Sequence, residues 1–95
     1  MDALIARLDE LATRLNGGRT HWTLEHHSSG WQLTVFTRHI EHLDVKPVEM
    51  GNGETFGVIR AERDTAELTV REAVIRCESV LAHTVINPAI LPAAA

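Results

Sequence analysis

The stretch Trp22-Thr23-Leu24-Glu25-His26-His27-Ser28-Ser29-Gly30-Trp31-Gln32-Leu33-Thr34-Val35 decides the fold class. Its first arm sets large apolar groups at even positions, Trp22 and Leu24. Its second sets them at odd positions, Trp31, Leu33 and Val35. Alternation of this kind marks half-buried strands, and the serines and glycine between the arms are turn residues. A turn at Ser29-Gly30 pairs His26 with Leu33, Leu24 with Val35 and Trp22 with Thr37, bringing both apolar sets to one face. The other face then carries His21, Thr23, Glu25, His27, Gln32, Thr34, Phe36 and Arg38. Apart from Phe36 it is polar, as in an antiparallel sheet covered on one side only.

The cover comes from the flanking segments. Upstream, Leu4, Leu8, Leu11 and Leu15 recur at helical spacing, widened by Ile5 and Ala12, with Arg7, Glu10 and Arg14 elsewhere on the wheel. Asp2 suits the positive end of this helix, as a cap or as a charge, and Asn16-Gly17-Gly18 supplies a left-handed exit. Downstream, Val70, Val74, Cys77 and Leu81 repeat the same spacing, flanked by Ala73 and Val80. Two starts fit this second helix, Asp64-Thr65-Ala66-Glu67 and the capping box Thr69-Val70-Arg71-Glu72; Asn87-Pro88 ends it. The leucine stripe of the first helix is too short for a coiled coil and serves best by packing on the sheet.

Between hairpin and second helix, residues 43–49 read as a third strand whose Pro47 puts it at an edge or bulge. Met50-Gly51-Asn52-Gly53 is a turn, and Phe56 to Glu62 a last strand with Ile59 and Ala61 inward and Phe56, Val58 and Arg60 outward. The expected fold is α+β, a single domain α-β-β-(β-β)-α over residues 1–86, with both helices packed on one face of an antiparallel sheet. Trp22, Leu24, Trp31, Leu33, Val35 and Ile59 should meet the two helix stripes. Residues 87–95 read as a poorly ordered C-terminal tail.

A chain of 95 residues with 44% hydrophobic and 23% charged residues suits one globular domain. A net charge of −4 argues against nucleic-acid or anionic-membrane partners, which need concentrated basic surface. No apolar run reaches the roughly 20 residues of a membrane span, and Met1-Asp2-Ala3-Leu4 does not open like a secretory signal. With Cys77 the sole cysteine, no internal disulfide forms, and a cytoplasmic setting is expected.

The residues that carry chemistry elsewhere find structural uses here. Six histidines are present, His21, His26, His27, His39, His42 and His83, and imidazoles suit zinc or nickel. Yet His26 and His27 are strand neighbours facing opposite ways, and His39 and His42 diverge in any extended strand. No metal site and no cofactor are predicted. Cys77 lies on an apolar helix stripe, where a thiol is an inert core group. Ser28-Ser29-Gly30 joins two strands, unlike a nucleophile elbow, and Gly51-Asn52-Gly53 lacks the helix that follows a phosphate loop. The chain reads as non-enzymatic.

The helix–strands–helix order is similar to that of double-stranded-RNA-binding domains, but in architecture only. Those domains meet RNA with basic residues opening the last helix, whereas Thr69-Val70-Arg71-Glu72-Ala73 sets one base against one acid. The expected function is a protein-binding or assembly module, of the kind found among bacterial or phage accessory and regulatory proteins. Its partner is another protein or a second copy, giving a homodimer. The expected interface is the sheet face away from the helices: Phe36, Phe56 and Val58 at the centre, Arg38, Arg60 and His27 around them. The alternative is a small-ligand or metal-responsive binder using the histidines.

Overall fold

The computed structural model describes residues 1–38, 45–49, 51 and 53–86, the last four as helix backbone. Helix α1 (Asp2–Leu15) buries Leu8, Leu11, Ala12 and Leu15. Met1 occupies the cap position and Asp2 the first turn, so Asp2 complements the helix dipole rather than capping. The exit is a Schellman turn: Gly17 takes φ 64°, and the Gly18 N–H donates to the Thr13 carbonyl at 2.9 Å. The Leu15 carbonyl accepts the Arg38 N–H at 3.0 Å and the Thr37 hydroxyl at 2.9 Å. These bonds tie the end of the helix to the sheet and satisfy the hydroxyl of the fully buried Thr37.

Strands β1 (Trp22–His27) and β2 (Gly30–Thr37) form the expected hairpin, in a register displaced by two residues. Trp22 faces Val35, Leu24 faces Leu33 and His26 faces Trp31, with the turn at Ser28-Ser29. The cause is Gly30, which enters the ladder as the first residue of β2 instead of serving in the turn. Its φ is 136°, and a Cβ there would stand 2.7 Å from the Arg63 carbonyl oxygen, so only glycine lets the neighbouring strand approach. A shift of two preserves parity, so both face assignments survive.

Strand β4 (Thr55–Arg63) pairs with β2, and β3 (Lys46–Glu49) pairs with β4, giving the order β1-β2-β4-β3, antiparallel throughout. Pro47 stands on the β3 edge, as its missing N–H requires. Ile59 and Ala61 face inward opposite Val35 and Leu33.

Helix α2 (Ala66–Ile86) takes the earlier start: the Thr65 hydroxyl oxygen accepts the Leu68 N–H at 3.2 Å. Thr69, the competing cap, is fully buried in the first turn and donates its hydroxyl to the Thr65 carbonyl at 2.7 Å. The helix reaches Ile86, next to Asn87-Pro88; residues 87–95 lie outside the described residues. Helix α2 lies over β2 and β4, and α1 lies beside it over β2. One core joins both helices to Leu33, Val35, Val45, Ile59 and Ala61, with Trp22 and Leu24 half-buried at its border. Trp31, expected in this core, sits outside it: in the observed register it stacks on His26 at a ring-centroid distance of 4.5 Å, beyond the helical cover. Cys77 is fully buried, and burial pushes its thiol up to about 12, with the Glu78 charge adding to the effect.

Candidate functional site

Register determines what the sheet presents on the face away from the helices. Residues directly opposite in neighbouring strands share a face, so Phe36, Val58 and Lys46 form one cross-strand row. His21 extends it beyond β1, where its carbonyl accepts the Phe36 N–H at 3.1 Å and its ring stacks on Phe36 at 4.2 Å. Val48 and Phe56 form the adjacent pair. Toward the hairpin the same face turns polar, through Thr34 opposite Arg60 and Gln32 opposite Glu62. The apolar surface is therefore confined to one end of the sheet.

At that end Phe36, Phe56, Val48 and Val58 enclose a pocket of about 120 Å³ with His21 and Asn16. Phe36 and Phe56 are half-buried, Val58 is buried and Val48 is 40% exposed. Val58 is buried although it points away from the helices, because it stands between Phe36 and Lys46 in its row. The interface residues expected at the centre, Phe36, Phe56 and Val58, do come together.

Their expected rim comes together only in part. Arg60 stands two residues along β4 from Val58, on the same face and exposed. Arg38 follows the end of β2 and lies against Gly17 at the end of α1, its Nε 3.4 Å from where a Gly17 Cβ would be. His27 lies at the hairpin end of the sheet, six residues and about 20 Å along β1 from His21. There it lines an open polar cleft with Ser28, Gln32 and Arg63, and its imidazole stands 3.1 Å from the Glu25 carboxylate.

Three lining residues, Asn16, His21 and Val48, and the neighbouring Lys46 lie outside the interface expected from the sequence. Val48 became part of the site only when β3 acquired a phase against β4. Lys46, in the same phase, supplies the rim charge that His27 does not. Asn16 read as a helix stop, which its backbone is: the N–H bonds the Ala12 and Thr13 carbonyls at 3.1 and 3.3 Å. Its side chain does something else. Asn16 is only 8% exposed, and its buried Oδ1 has no hydrogen-bond partner among the described residues. No pattern in the sequence marks a cap residue as the polar wall of a pocket.

Among the described residues no three His, Cys, Asp or Glu side chains converge on a metal-sized site. His39 and His42 lie outside the described residues, as does the side chain of His83. No described helix is long and apolar enough to cross a membrane. Comparison with protein-family models, curated proteins and solved structures yields no match.

Proposed function

We propose that the protein is a non-enzymatic binding module whose bare sheet face takes an apolar side chain of a partner protein. One observation carries this reading: Phe36, Phe56, Val48 and Val58 enclose an apolar pocket of about 120 Å³ on the face that the helices leave open. The volume is close to that of an engineered apolar cavity of about 150 Å³ that admits benzene, so the pocket suits one ring or one branched aliphatic group. Arg60 and Lys46 beside it supply a polar, cationic rim, the usual frame for an apolar contact centre. A partner segment with one apolar anchor and flanking acidic residues fits this chemistry.

Filling the pocket with such an anchor contributes roughly 1.5–3 kcal/mol, or one to two orders of magnitude in affinity. The test is peptide selection on the purified chain. Selected peptides should share a single large apolar residue near acidic ones, and Phe36→Arg should abolish their binding while the far-ultraviolet circular dichroism is retained. Selection of basic or purely polar peptides, or of peptides indifferent to Phe36→Arg, would contradict the reading.

A second reading draws on Asn16 and His21, the two polar groups in the same wall. A small apolar molecule with one polar group would use them where a protein side chain need not. It predicts that phenol-sized compounds raise the melting temperature of the wild type and not of a pocket-filling variant, Val58→Phe.

A further inference from the structure

The two edges of the sheet are built differently. On β3 the edge is four residues long and carries Pro47 and Lys46, devices that discourage another strand from pairing there. On β1 the edge is six residues long, with no proline, lysine or arginine. The Phe36 N–H bonds the directly opposite His21 carbonyl, so in this ladder His21, Thr23, Glu25 and His27 direct their backbone groups at β2. Trp22, Leu24 and His26 therefore direct their N–H and C=O groups outward. Among the described residues no strand pairs with that side.

The same flank is apolar above the strand. Trp22 and Leu24 are half-buried, although they sit on the face that packs against the helices. The Trp22 indole N–H donates to Asp9 of α1 at 2.6 Å, which places Asp9 on the helix flank above β1. Ile5, also half-buried, lies one helical turn from Asp9 on that flank. From the Asp9–Trp22 bond the helix rise carries Ile5 about 6 Å toward the hairpin end, and the strand rise carries Leu24 about 7 Å the same way. An open ladder and a half-covered apolar strip thus run side by side.

We infer that this edge receives a second copy of the chain, through antiparallel pairing of β1 with its symmetry mate about Leu24. Self-complementarity selects this occupant. Only the register centred on Leu24 uses all three outward-facing residues of both strands: Trp22 pairs with His26 of the second copy, Leu24 with Leu24, and His26 with Trp22. The six inter-strand hydrogen bonds then close. Each indole meets an imidazole, the pairing that His26 and Trp31 already make within the chain. On the other face Glu25 meets Thr23, so no like charges stand directly opposite, and the two Glu25 side chains are only diagonal neighbours. Helix α1 contacts β2, and the two β2 strands stand three strand spacings, about 14 Å, apart, which leaves room for both α1 helices. The result is a continuous sheet of eight strands whose two outer-face pockets lie on the same side. The contact is separate from the pocket and does not rest on the reading given to it.

Sedimentation equilibrium of the full chain, with edge variants, tests the inference. The wild type is expected to be a dimer. Leu24→Pro removes an N–H that points out of the fold, so circular dichroism should be unchanged while dimer affinity falls at least about thirtyfold through the two lost bonds. Leu24→Cys should form a disulfide-linked dimer under mild oxidant, since directly opposed hydrogen-bonded residues stand about 5.5 Å apart at Cα, within disulfide reach. Phe36→Arg should leave the dimer intact. A monomeric wild type, an unlinked Leu24→Cys, or a dimer dissolved by Phe36→Arg would overturn the inference.

Discussion

Replacing Asn16 with leucine should stabilise the protein. Asn16 closes α1 with φ −117° and ψ 34°, a backbone conformation open to any residue, and its helix-ending bonds come from its N–H alone. Among the described residues the side chain makes no hydrogen bond through Oδ1, which is buried in a wall shared with Phe36, Phe56, Val48 and Val58. A buried polar atom without a partner costs about 1–3 kcal/mol, and leucine keeps the same branching without the polar atoms, its greater bulk turned into the adjoining pocket. Allowing for imperfect fit, Asn16→Leu should raise unfolding free energy by about 1–2 kcal/mol. In a domain of this size that corresponds to a melting-point gain of roughly 4–15 °C. Urea titration followed by circular dichroism measures it directly, with an unchanged slope showing that the gain is in stability alone. A loss of stability would contradict this, showing that the amide's contacts outweigh the cost of its buried oxygen. A gain accompanied by weaker peptide binding would show that the amide is kept for the site at the expense of the fold.

Other expectations follow from the hairpin and the core. Gly30→Ala puts a Cβ 2.7 Å from a backbone carbonyl at a φ of 136°, whereas Gly53→Ala at φ 88° meets open space. The first should cost about 2–4 kcal/mol and the second about 1 kcal/mol, so equal losses on urea unfolding would disprove the close approach of β4 to Gly30. Cys77 should react slowly with thiol reagents in the native protein and quickly in urea; rapid native labelling would mean that the core is misassigned. Its folded pKa is raised to about 12 from an ordinary value of 9.0, so the neutral thiol is favoured by folding. Its contribution is fully present below about pH 9 and is lost as pH rises toward 12. Cys77→Ser should alter this alkaline loss of stability, and an unaltered profile would count against burial of the thiol.

How much of this was legible in the sequence depends on which physical rule each residue obeyed. Alternation in Trp22–His27 and Gly30–Thr37 made the two faces readable, because parity survives any even shift of register. The register itself was not readable, since a glycine after two serines serves equally well in a turn or as the first residue of a strand. Only the approach of Arg63 decides between them, and that contact is 33 residues away in the chain. The start of α2 was ambiguous because Asp64-Thr65-Ala66-Glu67 and Thr69-Val70-Arg71-Glu72 both suit a helix start; the Thr65 cap bond and the burial of Thr69 settle it. The stripe of α2 was visible despite Leu68 and Ile75, which are apolar yet 49% and 61% exposed. At the site, Phe36, Phe56 and Val58 followed from parity alone. Val48 and Asn16 depended on strand phase and on a helix end meeting the sheet, which are properties of the folded chain.

Whether a partner binds at the pocket on the sheet face away from the helices can be read from methyl-resolved nuclear magnetic resonance. On titration with a peptide selected on the wild-type chain, the methyl signals of Val48 and Val58 should move, while those of core Val70 and Val80 stay in place. Shifts confined to Leu68 and Ile75 on α2, or to Leu24 at the strand edge, would place binding elsewhere and contradict this.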